Sequence, residues 1–161
     1  MGEDKLNRLP PDVKKQFLKL ALKLSEKKTK SKVHDDFLSF VKHVWPEFIE
    51  GKHHKEIAQK FNQIAKGEIK RLIINMPPRH TKSEFASFLL PSWMVGRRPN
   101  LKIIQTTHTT ELAIRFGRKA KTLMDSPEYK QVFQTRLRED SQAAGKWETE
   151  QGGEYYAAGV G

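Results

Sequence analysis

Apolar residues recur every three or four positions in the first part of the chain, and this spacing predicts three helices. The predicted helices cover residues 12–28, 33–44 and 52–66. Pro46 ends the second helix, because a proline cannot continue the hydrogen-bonding pattern. Gly67 is well placed as the C-cap of the third helix.

Short apolar runs then alternate with helical segments. Residues 72–75 and 101–105 predict two strands, and short runs of this kind between helices are typical of buried parallel strands. A helix begins at Ser83, with a kink or interruption at Pro91, and another helix covers residues 110–124. The alternation of strands and helices predicts an α/β fold.

Two connections in the second half of the chain have distinctive sequences. The polar loop 106–110 lies at the carboxyl end of the second predicted strand, where open α/β sheets bind ligands. Thr109 or Thr110 can cap the helix that follows. Residues 146–157 predict a β-hairpin around Gly152 and its neighbour Gly153.

The chain length and charge limit the classes of protein to consider. A length of 161 residues suits one domain, or a domain with an arm. We expect a basic helical arm and linker at 1–33, in which 27–32 is a solvated linker, and a body at 34–161. The arm contacts a partner or DNA, or docks on the body.

The net charge of +11 favours a polyanionic partner, usually nucleic acid, although a solvated basic surface or a missing acidic half gives the same value. There is no cysteine, which excludes disulfides and thiolate metal sites. Without an apolar span or a signal-like N-terminus, we expect a soluble, intracellular protein.

Residues 71–84, RLIINMPPRHTKSE, have the layout of a phosphate-binding loop between a strand and a helix. In such a loop the backbone N–H groups surround phosphates, the lysine (here Lys82) reaches the β- and γ-phosphates, and the hydroxyl (here Ser83) holds Mg²⁺. The motif requires glycine at two positions that Met76 and Thr81 occupy here. The same residues also fit a capping box, with Thr81 as the N-cap and Glu84 at the third helical position. Both interpretations can hold, since a capped helix start is itself an anion site.

The residues that would line this loop follow directly from the sequence. Two prolines, Pro77 and Pro78, stiffen its start and have no N–H to donate. The donors that remain are the backbone N–H groups of five residues: Arg79, His80, Thr81, Lys82 and Ser83. The Arg79 guanidinium can also reach a phosphate.

Other constellations are less informative. The six histidines form no metal-ligating pattern, and the adjacent His53 and His54 are expected on different faces of a helix. There is no acidic cluster of the kind that a two-metal nuclease needs. Basic residues that can contact a nucleic-acid backbone, or simply form a solvated face, are Arg115, Arg118, Lys119 and Lys121, with Arg136 and Arg138 near the hairpin.

The combination of several segments resembles the large terminase subunits of tailed bacteriophages, which are ATP-driven motors that package viral DNA. The resemblance includes the segment 54–84, whose loop reads PPRHTKS, and the run FLSFVKHVWP at 37–46. It continues through 107–119 and 152–161, and therefore covers most of residues 33–161.

The resemblance implies an incomplete P-loop NTPase (ASCE/RecA-like) three-layer fold with an N-terminal helical arm. It implies ATP and Mg²⁺ as cofactors, Lys82 and Arg79 as catalytic residues, and Ser83 as the Mg²⁺ ligand. The residues that contact the nucleotide would be Pro78, Arg79, His80, Thr81, Lys82 and Ser83. The implied partners are double-stranded viral DNA, the small terminase subunit and the portal protein, in a homo-oligomeric ring in the host cytoplasm, with no membrane.

The chain also departs from this family. Thr81 replaces the usual glycine before Lys82, and the sequence ends before a Walker B strand, so we expect an N-terminal part that does not hydrolyse ATP alone. A helicase-like P-loop ATPase and a non-catalytic basic DNA-binding module are the alternatives. An incomplete sheet would leave an exposed apolar edge, which predicts self-association.

Overall fold

The computed structural model describes residues 10–161, apart from the side chain of Gln142, as a mixed α/β structure. Its helices and strands, in chain order, are α1 (Pro11–Asp35), α2 (Phe37–Val44), α3 (Lys52–Lys66), α4 (Lys82–Glu84), a π-helical turn (Phe85–Leu89), α5 (Leu90–Arg97), β1 (Lys102–Thr107), α6 (Thr110–Asp125), α7 (Pro127–Val132), β2 (Leu137–Ala143), β3 (Lys146–Thr149) and β4 (Glu154–Gly159).

Helix α1 is longer than its apolar pattern predicts. Residues 27–32 continue the helix, so the expectation of a linker there is wrong. These residues include no glycine or proline, and lysine is a good helix former. Most of α1 is exposed, including Leu20 and Leu24, and Val33 is its buried residue.

A break at Asp36 separates α1 from α2, where the sequence predicts one helix over 33–44. The Asp36 carboxylate accepts hydrogen bonds from the Ser39 N–H and the Asn62 side-chain amide, both at 2.8 Å. The Asn62 side chain also accepts from the Phe37 N–H at 2.9 Å. Asp36 is therefore the N-cap of α2, and Asn62 fixes this cap to α3.

Helix α3 has the bounds that the sequence predicts, and Gly67 ends it with a left-handed φ of 80°. The core forms where α2 and α3 meet the helical segment 82–97. The Phe37 ring contacts the rings of Phe61, Phe85 and Trp93 edge-on, with centroids 5.0 to 5.4 Å apart. These aromatic contacts fix the helices that flank the candidate loop.

The helical segment 82–97 passes Pro91 without interruption. The Leu90 N–H bonds to the Phe85 carbonyl, one residue further back than in an α-helix. A proline lacks its own N–H and clashes with the carbonyl four residues earlier. The π-helical register just before Pro91 therefore adapts the helix to the proline.

The sheet has the strand order β1-β4-β3-β2. Strands β1 and β4 are parallel, with Ile104 opposite Tyr156, whereas β3 pairs antiparallel with both β2 and β4. The hairpin around Gly152 is confirmed, and Gly152 has a φ of 84°. The short helix α7 and the strand β2 are absent from the sequence-based prediction.

Residues 72–75 do not form the predicted strand; in the described part of the chain they belong to no ladder. They remain in a coil segment with alternating burial, in which Leu72, Ile74 and Met76 pack against the core and Ile73 is 87% exposed. The period of two matches a strand, but a ladder needs a neighbouring strand. The segment leads directly into the candidate loop.

Helices cover one face of the described sheet. Helix α6 packs on β1 and β4, and a Cβ on Gly117 would lie 2.5 Å from the Ala144 carbonyl oxygen, so this close approach requires glycine. On the opposite face, Ile104 is 74% and Tyr156 51% exposed. The α/β class is confirmed, while the described residues supply helices on one face, not the two of a three-layer fold.

Candidate phosphate-binding loop

The loop lies between the coil segment that ends at Met76 and the helix that begins at Lys82. The Phe85 N–H donates to the Thr81 carbonyl at 2.9 Å, which is the first hydrogen bond of the helix. The N–H groups of Lys82, Ser83 and Glu84 precede that bond, so the helix itself gives them no acceptor. These groups lie at the positive end of the helix dipole, which favours an anion.

The sign of φ alternates along the loop. Among the described residues, Arg79 (φ 64°) and Thr81 (φ 57°) are the non-glycine residues with positive φ, and helical Lys82 follows them. Alternation of this kind turns successive N–H groups toward one side and forms an anion-binding concavity. The left-handed conformation costs a residue other than glycine roughly 1–2 kcal/mol. Thr81 thus adopts the kind of conformation that a glycine of the motif would allow.

Thr81 is not the capping residue that the sequence predicts. It precedes the first helical residue, but its side chain makes no capping hydrogen bond, so the expected capping box with Glu84 is wrong. The Thr81 hydroxyl is instead engaged by two other groups. It donates to the His80 carbonyl at 2.7 Å and lies 2.6 Å from the His54 Nε2 atom.

His54 connects the start of α3 to this loop. Its Nδ1 accepts a hydrogen bond from the Gly51 N–H at 2.9 Å, which leaves the proton of the neutral ring on Nε2. The Nε2–H group therefore donates to the Thr81 hydroxyl. His54 is 6% exposed, and sequence reasoning missed this role because the two residues are 27 positions apart.

Burial lowers the pKa of His54 below its ordinary value, and repulsion from His53 and, more weakly, His80 acts in the same direction. Glu50 opposes these effects. The net direction favours the neutral ring that the two hydrogen bonds require.

The expectation that His53 and His54 point to different faces is wrong. Their ring centroids are 3.8 Å apart, and the His80 ring lies 5.7 Å from that of His53. A Cβ on Gly51 would come within 2.9 Å of the His53 ring, so the glycine leaves space for this arrangement. Among the described residues, no group of three or more His, Asp or Glu side chains could hold a metal ion.

The Lys82 ammonium group reaches back across the loop and donates to the Met76 carbonyl at 3.3 Å. Within the described residues, no carboxylate lies at ion-pair distance from it. The Ser83 side chain is exposed beside it, and so is Arg79. The Pro78 carbonyl accepts from the His80 ring at 2.9 Å. The six residues predicted to contact a nucleotide are consecutive in the sequence and form the loop itself.

A groove of about 600 Å³ adjoins the loop, between α3 and the coil segment. Its lining includes His53, Ile57 and Lys60 on one side and Ile73 and Met76 on the other. The Met76 carbonyl is the acceptor of Lys82, so the groove and the loop share a boundary.

The predicted nucleic-acid contacts on α6 separate into two kinds. Arg115 and Arg118 are both exposed and line a groove of about 490 Å³ that also includes Thr109. Lys119 instead directs its ammonium group over the Phe88 ring at 5.1 Å, and Lys121 is partly buried. Near the hairpin, the Arg138 guanidinium forms ion pairs with Asp140 and Glu148, which raises its pKa.

Comparisons of the chain with models of protein families, with curated proteins and with solved structures find no match. Among the described residues, no helix is both long enough and apolar enough to cross a lipid bilayer.

Proposed function

We propose that residues 78–83 bind the phosphates of a nucleoside triphosphate with Mg²⁺, and that the chain is the nucleotide-binding part of a viral DNA-packaging ATPase of the terminase type. The observation that carries the phosphate site is the alternating φ over Arg79, His80, Thr81 and Lys82. The terminase assignment rests on the sequence resemblance alone.

Two considerations support a phosphate ligand. The left-handed conformations of Arg79 and Thr81, on either side of His80, are costly for residues other than glycine, and conformations of this kind cluster at ligand-binding and active sites. The Lys82 ammonium lacks a carboxylate partner within the described residues and can turn from the Met76 carbonyl toward a phosphate. A phosphate would also reverse the unfavourable position of this lysine at the positive end of a helix.

The residues present fit a nucleotide with its Mg²⁺ ion. Mg²⁺ prefers oxygen ligands and usually binds through one or two protein groups and substrate phosphates. The exposed Ser83 hydroxyl can supply one such oxygen. The exposed Arg79 guanidinium can pair with a phosphate from the solvent side.

Titration calorimetry with a non-hydrolysable Mg-ATP analogue tests this proposal. We expect saturable binding by the wild-type chain and an affinity at least tenfold lower for Lys82→Ala, because a charged hydrogen bond contributes about 1.5–3 kcal/mol. The matched control is Lys66→Ala, which removes an exposed lysine from the end of α3. This control should bind like the wild type.

Equal losses in the two lysine variants would indicate a general charge effect and contradict a phosphate site at the loop. The absence of binding by a folded wild-type chain would favour the second candidate function, a basic DNA-binding module. The exposed pair Arg115 and Arg118 supports that alternative. It predicts salt-dependent DNA binding that Lys82→Ala leaves unchanged.

A further inference from the structure

A chain of three hydrogen bonds links the start of α3 to the candidate loop. It runs from the Gly51 N–H to His54 Nδ1, from His54 Nε2–H to the Thr81 hydroxyl, and from that hydroxyl to the His80 carbonyl. The backbone N–H at one end can only donate and the backbone carbonyl at the other end can only accept, so every hydrogen bond between them has one possible direction. This series of hydrogen bonds therefore requires one tautomer of neutral His54.

This series of hydrogen bonds ends on the strained part of the loop. Thr81 has the left-handed backbone that alternates with its neighbours. A strained backbone persists when the surrounding structure holds it. The two hydrogen bonds of the Thr81 hydroxyl hold its side chain between α3 and the preceding peptide group.

We infer that His54 is a positioning residue, which holds Thr81 in its left-handed conformation and so keeps the loop N–H groups ready for a phosphate. This inference rests on the proposed phosphate-binding function, although the hydrogen-bonded latch between His54 and Thr81 can be tested without a ligand. His54 itself touches no phosphate: it acts through Thr81.

The latch is sensitive to protonation. A proton on His54 Nδ1 would place a donor against the Gly51 N–H, and the ring would lose its position. The rings of Phe48 and Phe85 face the His54 ring, with centroids 4.8 and 5.1 Å away. Among the polar groups around it, His53 and His80 disfavour a positive charge on His54, and the Glu50 carboxylate favours one. Glu50 is held by Lys42 and Lys55, which limits its stabilisation of a charged ring.

Four substitutions separate the parts of the latch. His54→Phe keeps an aromatic ring beside Phe48 and Phe85 but removes both hydrogen bonds. His54→Asn keeps an acceptor near Gly51 and is too short for Thr81, whereas His54→Gln can donate to Thr81. Thr81→Val keeps the branched shape and removes the hydroxyl.

Calorimetry with the Mg-ATP analogue gives the first readout. We expect His54→Phe, His54→Asn and Thr81→Val each to weaken binding about tenfold, and His54→Gln to recover affinity to within about threefold of wild type. The double variant His54→Phe with Thr81→Val should lose no more than either single variant, because both remove the same interaction. Full additivity, or equal affinity of all variants, would overturn the inference.

The pH dependence gives a readout that a purely structural role would not produce. Because burial lowers the pKa of His54, affinity should fall as the pH drops below 6.5, and the fall should be smaller in His54→Gln. The nucleotide and every residue other than His54 are the same in both measurements. The difference between the two profiles therefore isolates His54, and identical profiles would contradict the inference.

NMR of the ligand-free chain separates failure of the latch from failure of the proposed function. We expect the His54 nitrogen shifts to report a neutral ring protonated on Nε2, and Thr81→Val to change them. If the wild type binds no nucleotide but shows this signature, the proposed function fails and the latch stands as a structural feature. If the ring is protonated on Nδ1, the inference is wrong whatever the chain binds.

Discussion

At the scale of single residues, the left-handed conformations of Arg79 and Thr81 give the loop its alternating φ. The sequence identifies the loop through Lys82 and Ser83, and it identifies the N–H donors by exclusion of the prolines. It does not identify positive φ values at an arginine and a threonine, because neither residue type favours them. The His54–Thr81 contact is equally hidden, since it depends on how α3 packs beside the loop.

The strain at Arg79 predicts an inverted order of glycine and alanine variants. Glycine normally destabilises a helix or strand by about 0.5–1 kcal/mol relative to alanine, but at a left-handed position it avoids the Cβ clash. We expect Arg79→Gly to be more stable than Arg79→Ala by about 1 kcal/mol in urea unfolding. At Lys60, an exposed position within α3, the usual order should hold. Alanine more stable than glycine at residue 79 would argue against a left-handed backbone there.

At the scale of elements, the success of the sequence-based prediction depends on whether local or distant partners define the element. Helix α3 carries its own periodicity and a glycine C-cap, and its bounds match the prediction. Residues 72–75 have the alternation of a strand, but the pairing partner of a strand is not local. The break between α1 and α2 at Asp36 depends on Asn62, which is 26 residues away.

The N-cap at Asp36 leads to a stability prediction. Burial raises the pKa of this carboxyl, but the hydrogen bonds from Ser39 and Asn62 outweigh burial, so the pKa lies below its ordinary value of 3.8. The stabilisation is therefore complete above pH 3.8 and is lost as the pH falls through the lowered value. We expect Asp36→Ala to cost about 1–2 kcal/mol at pH 7, and less in acid.

Urea unfolding at neutral and acidic pH measures this effect. The control is Asp125→Ala, because the Asp125 carboxylate is exposed and forms a surface ion pair with Lys130. Such pairs contribute little, so this variant should stay within about 0.5 kcal/mol of wild type. A pH-independent cost for Asp36→Ala would show that the charge is not what stabilises the cap.

At the scale of the whole molecule, residues 10–161 leave one face of the sheet without helices, and strand β1 lies at the edge of the sheet that they form. Ile104 and Tyr156 expose apolar surface on that face, and the unpaired edge of β1 can pair with another strand, so both features favour association. We expect the chain to self-associate, with a mean mass in light scattering that rises with concentration. Ile104→Lys should reduce the rise, whereas Ile49→Lys, at an even more exposed site outside the sheet, should not. A wild-type chain that stays monomeric at high concentration would contradict this expectation.

Amide NMR spectra during titration with the Mg-ATP analogue test the proposal that backbone N–H groups of the loop bind phosphate. We expect the largest saturable shifts at the amides of residues 80–83, and a response at least tenfold weaker in Lys82→Ala. Unchanged loop amides in a folded chain, or shifts confined to α6 around Arg115 and Arg118, would contradict it.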